Sequence, residues 1–153
     1  MTASPRGGGN ELNDQPVIAP IPPANVDYTA SQGTHYLLDL FGCTSPILDD
    51  ELGLVDLAVE AAEKAGATVL ATHHHRFEPH GVSAICVLAE SHLSIHTWPE
   101  IGTATIDVYT CGSATDPRTA CDLIELRLGA TYAERARVDR GRPSAARNPA
   151  TQG

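Results

Sequence analysis

Residues Gly81–Cys111 read GVSAICVLAESHLSIHTWPEIGTATIDVYTC, and this run decides the fold. It contains three apolar, β-branched stretches, Gly81–Ala89, His92–Trp98 and Ala104–Thr110. Short polar links part them, Glu90-Ser91 in one place and Pro99-Glu100-Ile101-Gly102 in the other. Strand-length runs joined this closely predict sequential antiparallel strands. Upstream, His35–Phe41 and Ala67–His73 read as two more strands, and Tyr132–Val138 as a last one.

Two segments have helical spacing. Asp49–Ala65 places Leu52, Val55, Val59 and Ala62 on one face, with Asp49 or Asp50 to cap it and Gly66 to end it. Asp116-Pro117 opens a second helix that Gly129 stops. The expected fold class is α+β: a two-layer α/β sandwich, a mainly antiparallel sheet with two helices on one face. The other face must then be wet or covered by a partner.

The chain has 153 residues and 42% apolar content, enough for one modest core. Residues 1–32 hold Gly7-Gly8-Gly9 and five prolines without an apolar period, and 139–153 are rich in Arg, Ala and Pro. Both read as disordered tails around a folded body at 33–138. The net charge of −9 excludes a nucleic-acid binder, which needs a basic face, and suits a cationic small substrate. No transmembrane run and no signal peptide is legible, and the four cysteines form no CxxC pair. A cytoplasmic protein with reduced thiols is expected.

Ser, His, Cys and Glu crowd into Phe77–Gly112. His92 and His96 are four apart, but no HExxH glutamate accompanies them and the segment reads as strand. Of His73, His74, His75 and His80, only His73 and His75 share a strand face, so a solvated loop is expected over a metal site. No GxSxG elbow surrounds Ser91. Spacing says more. A hairpin centred on Ile101 places Ser91 level with Cys111. At strand rise, His96 lies about 16 Å and Ser83 about 26 Å from Ser91. A second hairpin with its tip near Glu90-Ser91 brings Ser83 to His96. If all four residues act together, Ser83 and His96 must come from a second copy, which predicts a dimer with shared sites.

Glu90-Ser91-His92-Leu93-Ser94-Ile95-His96-Thr97-Trp98-Pro99-Glu100, flanked by Gly81-Val82-Ser83 and Thr110-Cys111-Gly112, closely resembles the signature of prokaryotic S-adenosylmethionine decarboxylases. The likeness runs from about His35 to the second helix. It makes 33–138 an S-adenosylmethionine decarboxylase domain. It implies a proenzyme that cuts itself between Glu90 and Ser91 and turns Ser91 into a pyruvoyl cofactor. Ser91 attacks the Glu90 carbonyl to give an ester, loss of its α-proton leaves dehydroalanine, and hydrolysis releases ammonia. A pyruvoyl ketone, joined to the substrate amine as a Schiff base, accepts the electron pair left by carbon dioxide.

The same resemblance assigns roles. His96 takes the Ser91 α-proton, Ser83 stabilises the cyclic intermediate of the acyl shift, and Cys111 reprotonates the substrate. Phe77 stacks on adenine and Glu100 holds the ribose hydroxyls, while Trp98 adds to that wall or only packs. The implied protein is a homodimer of cleaved protomers acting on S-adenosylmethionine for spermidine synthesis, without metal, nucleic acid or membrane. Two other readings use the same residues: a pyruvoyl decarboxylase of arginine or ornithine, and an unprocessed binding or regulatory homologue. Cys43, Cys86 and Cys121 read as core.

Overall fold

The computed structural model describes residues 26–141; of the expected tails at 1–32 and 139–153, residues 1–25 and 142–153 lie outside the described residues, whereas Thr29–Ser31 forms a turn and the last strand runs on to Arg140. A 3-10 turn at Thr29–Ser31 precedes β1 (Gly33–Phe41). Then follow α1 (Glu51–Lys64), β2 (Val69–Arg76), β3 (Val82–Leu88), β4 (Ser91–Trp98), β5 (Thr103–Cys111), α2 (Pro117–Leu128) and β6 (Tyr132–Arg140). The strands form one sheet in the order β2-β3-β4-β5-β1-β6, and every neighbouring pair is antiparallel. The α+β sandwich read from the sequence is the fold observed.

Alternation builds the sheet. In β5, Ala104, Ile106, Val108 and Thr110 are buried while the residues between them are half-exposed. Val82, Ala84, Cys86 and Leu88 do the same on β3. Both helices lie on this buried face, α1 over β2, β3 and β4, and α2 over β5 and β1. The caps act as the sequence indicates. Asp50 accepts from the Gly53 N–H at 3.1 Å, Asp116 accepts from the Arg118 N–H at 3.1 Å, and Gly129 closes α2 at φ +64°.

The apolar stripe of α1 differs from the one expected. Leu54, Leu57, Ala58, Ala61 and Ala62 are buried, whereas Leu52 is 67% exposed and Val55 and Val59 sit at the margin. The stripe follows 54, 57, 58 and 61, and its alanines let the helix approach the sheet closely. Leu52 lies in the first turn, off that line.

No helix among the described residues is long and apolar enough to cross a membrane. The sheet face away from the helices is uncovered by the described residues. It carries His35, Ser83, His92, His96, Asp107 and Tyr109, and partly exposed Phe41, Ile85, Val87 and Trp98.

Leu57→Ala should lower unfolding free energy by about 2–5 kcal/mol, and Leu52→Ala by no more than about 0.5 kcal/mol. Urea unfolding reads both. Equal losses would return the buried stripe to the Leu52 side.

Candidate active site

The β3–β4 turn, Ala89-Glu90, is tied down on three sides. The Ala89 N–H donates to the Thr68 carbonyl at 2.9 Å, and the Glu90 carboxylate accepts from the Thr68 N–H at 3.0 Å. The Glu90 carbonyl accepts from the Cys111 N–H at 2.9 Å. Ser91 follows with φ +151°, the only positive φ outside glycine among the described residues. That region is costly for a residue with a Cβ, and such strain collects at functional positions. The Ser91 Oγ lies 3.2 Å from His92 Nδ1.

The register corrects one expectation. Ser91 pairs with Thr110, not Cys111. Residues 99–102 make an even-numbered link, a 3-10 turn over Pro99–Ile101 closed by Gly102 at φ +60°. The hairpin centre therefore falls between Glu100 and Ile101 rather than on Ile101, with Trp98 opposite Thr103. A one-residue shift moves side chains to the other face. Here it puts the Cys111 amide on the Glu90 carbonyl, the atom a serine nucleophile would attack, and such a donor stabilises an oxyanion.

The second hairpin is in the expected register. Ser83 and His96 are direct partners on β3 and β4, and Ser83 Oγ lies 2.6 Å from His96 Nδ1. Phe77 is near the same end of the sheet, in the link between β2 and β3. Its N–H donates to the Gly81 carbonyl at 2.8 Å, and its ring stands edge-on to His75 at 4.7 Å. Asp49 anchors this link by accepting from the Gly81 N–H at 3.1 Å and from Arg76 at 2.8 Å. Those donors, the Gly81 N–H first, hold its carboxyl below the ordinary aspartate range. Gly81 has φ +100°, and a Cβ there would meet the Thr97 carbonyl at 2.8 Å. Exposed Glu100 and Trp98 complete this end.

Two groups thus stand at opposite ends of β4. Glu90, Ser91 and Cys111 occupy one; Ser83, His96, Phe77, Trp98 and Glu100 occupy the other. Five positions of unbroken strand separate Ser91 from His96, about 16 Å.

One cluster escapes sequence reading. His35 Nε2 lies 2.9 Å from Asp107 Oδ1, and Ser94 donates to the other Asp107 oxygen at 3.4 Å. The rings of His35, His92 and Tyr109 meet at 5.6–6.1 Å between centroids. The neighbouring Cys111 thiol raises the Tyr109 phenol above its usual range. Gly33 makes room for that ring, since a Cβ would meet the Tyr109 hydroxyl at 2.8 Å. Strand parity sets Asp107 and Tyr109 on one face, but the pairing that adds His35 is non-local.

Among the described residues no three His, Cys, Asp or Glu side chains converge as a metal site. His74 sits by Glu51 at 3.4 Å and His80 by Asp49 at 3.8 Å. Cys43, Cys86 and Cys121 are buried in the core, and burial pushes the Cys86 thiol to about 11 and Cys121 to about 12.

The sequence model of one family, S-adenosylmethionine decarboxylase, matches residues 34–141. The S-adenosylmethionine decarboxylase proenzyme of Prochlorococcus marinus (strain MIT 9313) is 52% identical over 98 residues, 64% of this chain and 78% of that protein. The proenzyme of the same name from Caldicellulosiruptor saccharolyticus is 44% identical over 109 residues, 71% of this chain and 88% of the relative. The crystal structure of the adenosylmethionine decarboxylase from Aquifex aeolicus superposes with a TM-score of 0.68 at 38% identity, covering 72% of this chain and 91% of that one.

Backbone strain at Ser91 has a measurable consequence. Ser91→Gly relieves about 1–3 kcal/mol of strain against about 0.5–1 kcal/mol of added chain entropy. It should therefore be about 1 kcal/mol more stable than Ser91→Ala in urea. A Ser91→Ala protein of equal or greater stability would show that no strain is held there.

Proposed function

The chain belongs to the S-adenosylmethionine decarboxylase family, and from that premise we propose the chemistry of its site. It is a proenzyme that cuts itself at Glu90-Ser91, carries the resulting pyruvoyl group, and decarboxylates S-adenosylmethionine. The observation that carries the cut is the meeting of three features at one bond: Ser91 held at φ +151°, its hydroxyl 3.2 Å from His92 Nδ1, and the Cys111 N–H on the Glu90 carbonyl.

Ser91 Oγ adds to the Glu90 carbonyl carbon, and the Cys111 N–H receives the developing oxyanion. One such donor is worth about 2.7–4 kcal/mol in enzymes where it has been removed. Breaking the C–N bond leaves an ester. His96 then takes the Ser91 α-proton, the Glu90 carboxylate departs, and water replaces nitrogen as ammonia leaves. The 2.6 Å contact with Ser83 fixes the imidazole for that task.

The residues fit the group they would generate. The pyruvoyl group supplies a carbonyl that condenses with an amine and accepts the electron pair left by carbon dioxide. Cys111 returns a proton to the substrate carbon, Phe77 faces adenine, and Glu100 holds the ribose hydroxyls. The ring of Phe77 also suits a sulfonium charge. The product serves as an aminopropyl donor for spermidine, in a cytoplasm that keeps the four free cysteines reduced.

The site is shared by two copies. His96 on β4 and its partner Ser83 on β3 lie five ladder positions from Ser91 and cannot reach it within one chain, and they share the uncovered sheet face with apolar Ile85 and Val87. Two such faces packed with β4 strands reversed bring each Ser91 end toward the other copy's His96 end, at the roughly 10 Å spacing of stacked sheets. Covering those side chains favours the pairing.

Intact mass should show two fragments, the second beginning at the former Ser91 and blocked to Edman sequencing, while Ser91→Ala stays whole. An uncut wild-type chain after long incubation would overturn the mechanism. Carbon dioxide should come from S-adenosylmethionine and not from arginine or ornithine; release from arginine alone would reassign the substrate.

Mixing Ser91→Ala with His96→Ala protomers should restore cutting of the His96→Ala chains. Heterodimers that form and stay uncut would rule out sharing between copies.

A further inference from the structure

The proposed cut leaves one proton without a destination. Ser91 Oγ cannot add to a carbonyl at a useful rate until its hydroxyl proton departs, and His96 stands five residues away on the same strand. The geometry points to His92 as the base that takes the Ser91 hydroxyl proton during the acyl shift, with His35 and Asp107 as positioning residues behind it. This inference rests on the self-cleaving reading.

His92 Nδ1 is 3.2 Å from Ser91 Oγ, within reach of direct transfer. The ring is held from two sides, by His35 at 6.1 Å between centroids and by Tyr109 at 6.0 Å. His35 is in turn fixed by Asp107 at 2.9 Å, and Ser94 steadies the second Asp107 oxygen. With its proton on Nε2, His92 accepts at Nδ1. The Oγ–C bond forms as the carbonyl π pair moves to oxygen. When that pair returns, the C–N bond breaks and His92 hands its proton to the departing Ser91 nitrogen. No proton is gained or lost overall.

The surroundings favour the neutral ring this needs. Burial is the first cause that draws the imidazole below its ordinary range, and His35 and Arg140 act in the same direction, while Asp107 opposes them. The elements around it present His35 from β1, apolar Val87 from β3, Asp107, Tyr109 and Cys111 from β5, and Arg140 from β6. A base must be unprotonated, so cutting slows as pH falls through this lowered value.

The test uses the full chain and follows cutting by intact mass. His92→Asn should slow it about 10²-fold or more. His96→Ala alone should accumulate the ester, which hydroxylamine cleaves at Glu90. Adding His92→Asn should abolish that hydroxylamine-sensitive fraction, because the block moves ahead of the ester. Cutting of folded His92→Asn within threefold of wild type would overturn the proposal, as would an undiminished hydroxylamine fraction in the double variant. An uncut wild type would instead overturn the self-cleaving reading on which it rests. A second variant guards against misfolding of the first. Arg140→Gln, on the exposed edge strand, should move the acid limb of the cutting rate to higher pH, and an unmoved limb would count against His92 as the base.

Discussion

Strand β4 is straight and unbroken from Ser91 to Trp98, and the arrangement of the site follows from that. A paired central strand cannot fold back on itself without losing ladder bonds on both sides. The serine at one end and the histidine at the other therefore stay about 16 Å apart within one chain. Among the described residues the helices cover only the opposite face, so the face bearing His96 is left for another occupant. In the proposed mechanism, sharing of sites between two copies follows from strand stiffness as much as from any chemical requirement.

The second determinant is parity. An odd link after Trp98 would have set Cys111 beside Ser91; the four-residue link sets its amide beside Glu90 instead. The Glu90 carbonyl thereby gains a donor from the backbone, which no substitution at position 111 other than proline removes. The turn that presents the carbonyl is pinned to Thr68 through the Glu90 carboxylate. Gly33, opposite Cys111, leaves room for Tyr109 to lie against the thiol. Each of these local choices would be hard to interpret alone, and the ladder gives them one purpose.

Much of this was legible in the sequence because it is local. Periods of two and 3.6, the aspartate caps and the Ser83–His96 pairing all depend on neighbours within a hairpin or a helical turn. The hairpin centre between Glu100 and Ile101 is not legible, because Pro99–Gly102 admits either an odd or an even link until the 3-10 turn forms. The α1 stripe is ambiguous in sequence because Leu52 satisfies the period as well as Leu54, and only docking onto the sheet decides between them. The His35–Asp107 contact spans 72 positions in the chain and requires β1 to sit beside β5, which no local pattern specifies. Assignment of the chemistry came from resemblance to a family, whereas the split between the two ends of β4 came from spacing alone.

Under the proposed cut between Glu90 and Ser91, the placement of β1 between β5 and β6 would have a further effect. The leading fragment owns β1, α1, β2 and β3, and the trailing one owns β4, β5, α2 and β6. Neither holds a contiguous half of the sheet, because a strand of the first is wedged inside the second. The fragments are dovetailed, and they cannot drift apart while the sheet lasts. Reassembly after unfolding, by contrast, becomes an encounter between two molecules and slows with dilution. The whole chain folds once, as a single thread. Thereafter the lifetime of the mature protein is set by how slowly it comes undone rather than by how readily it reforms.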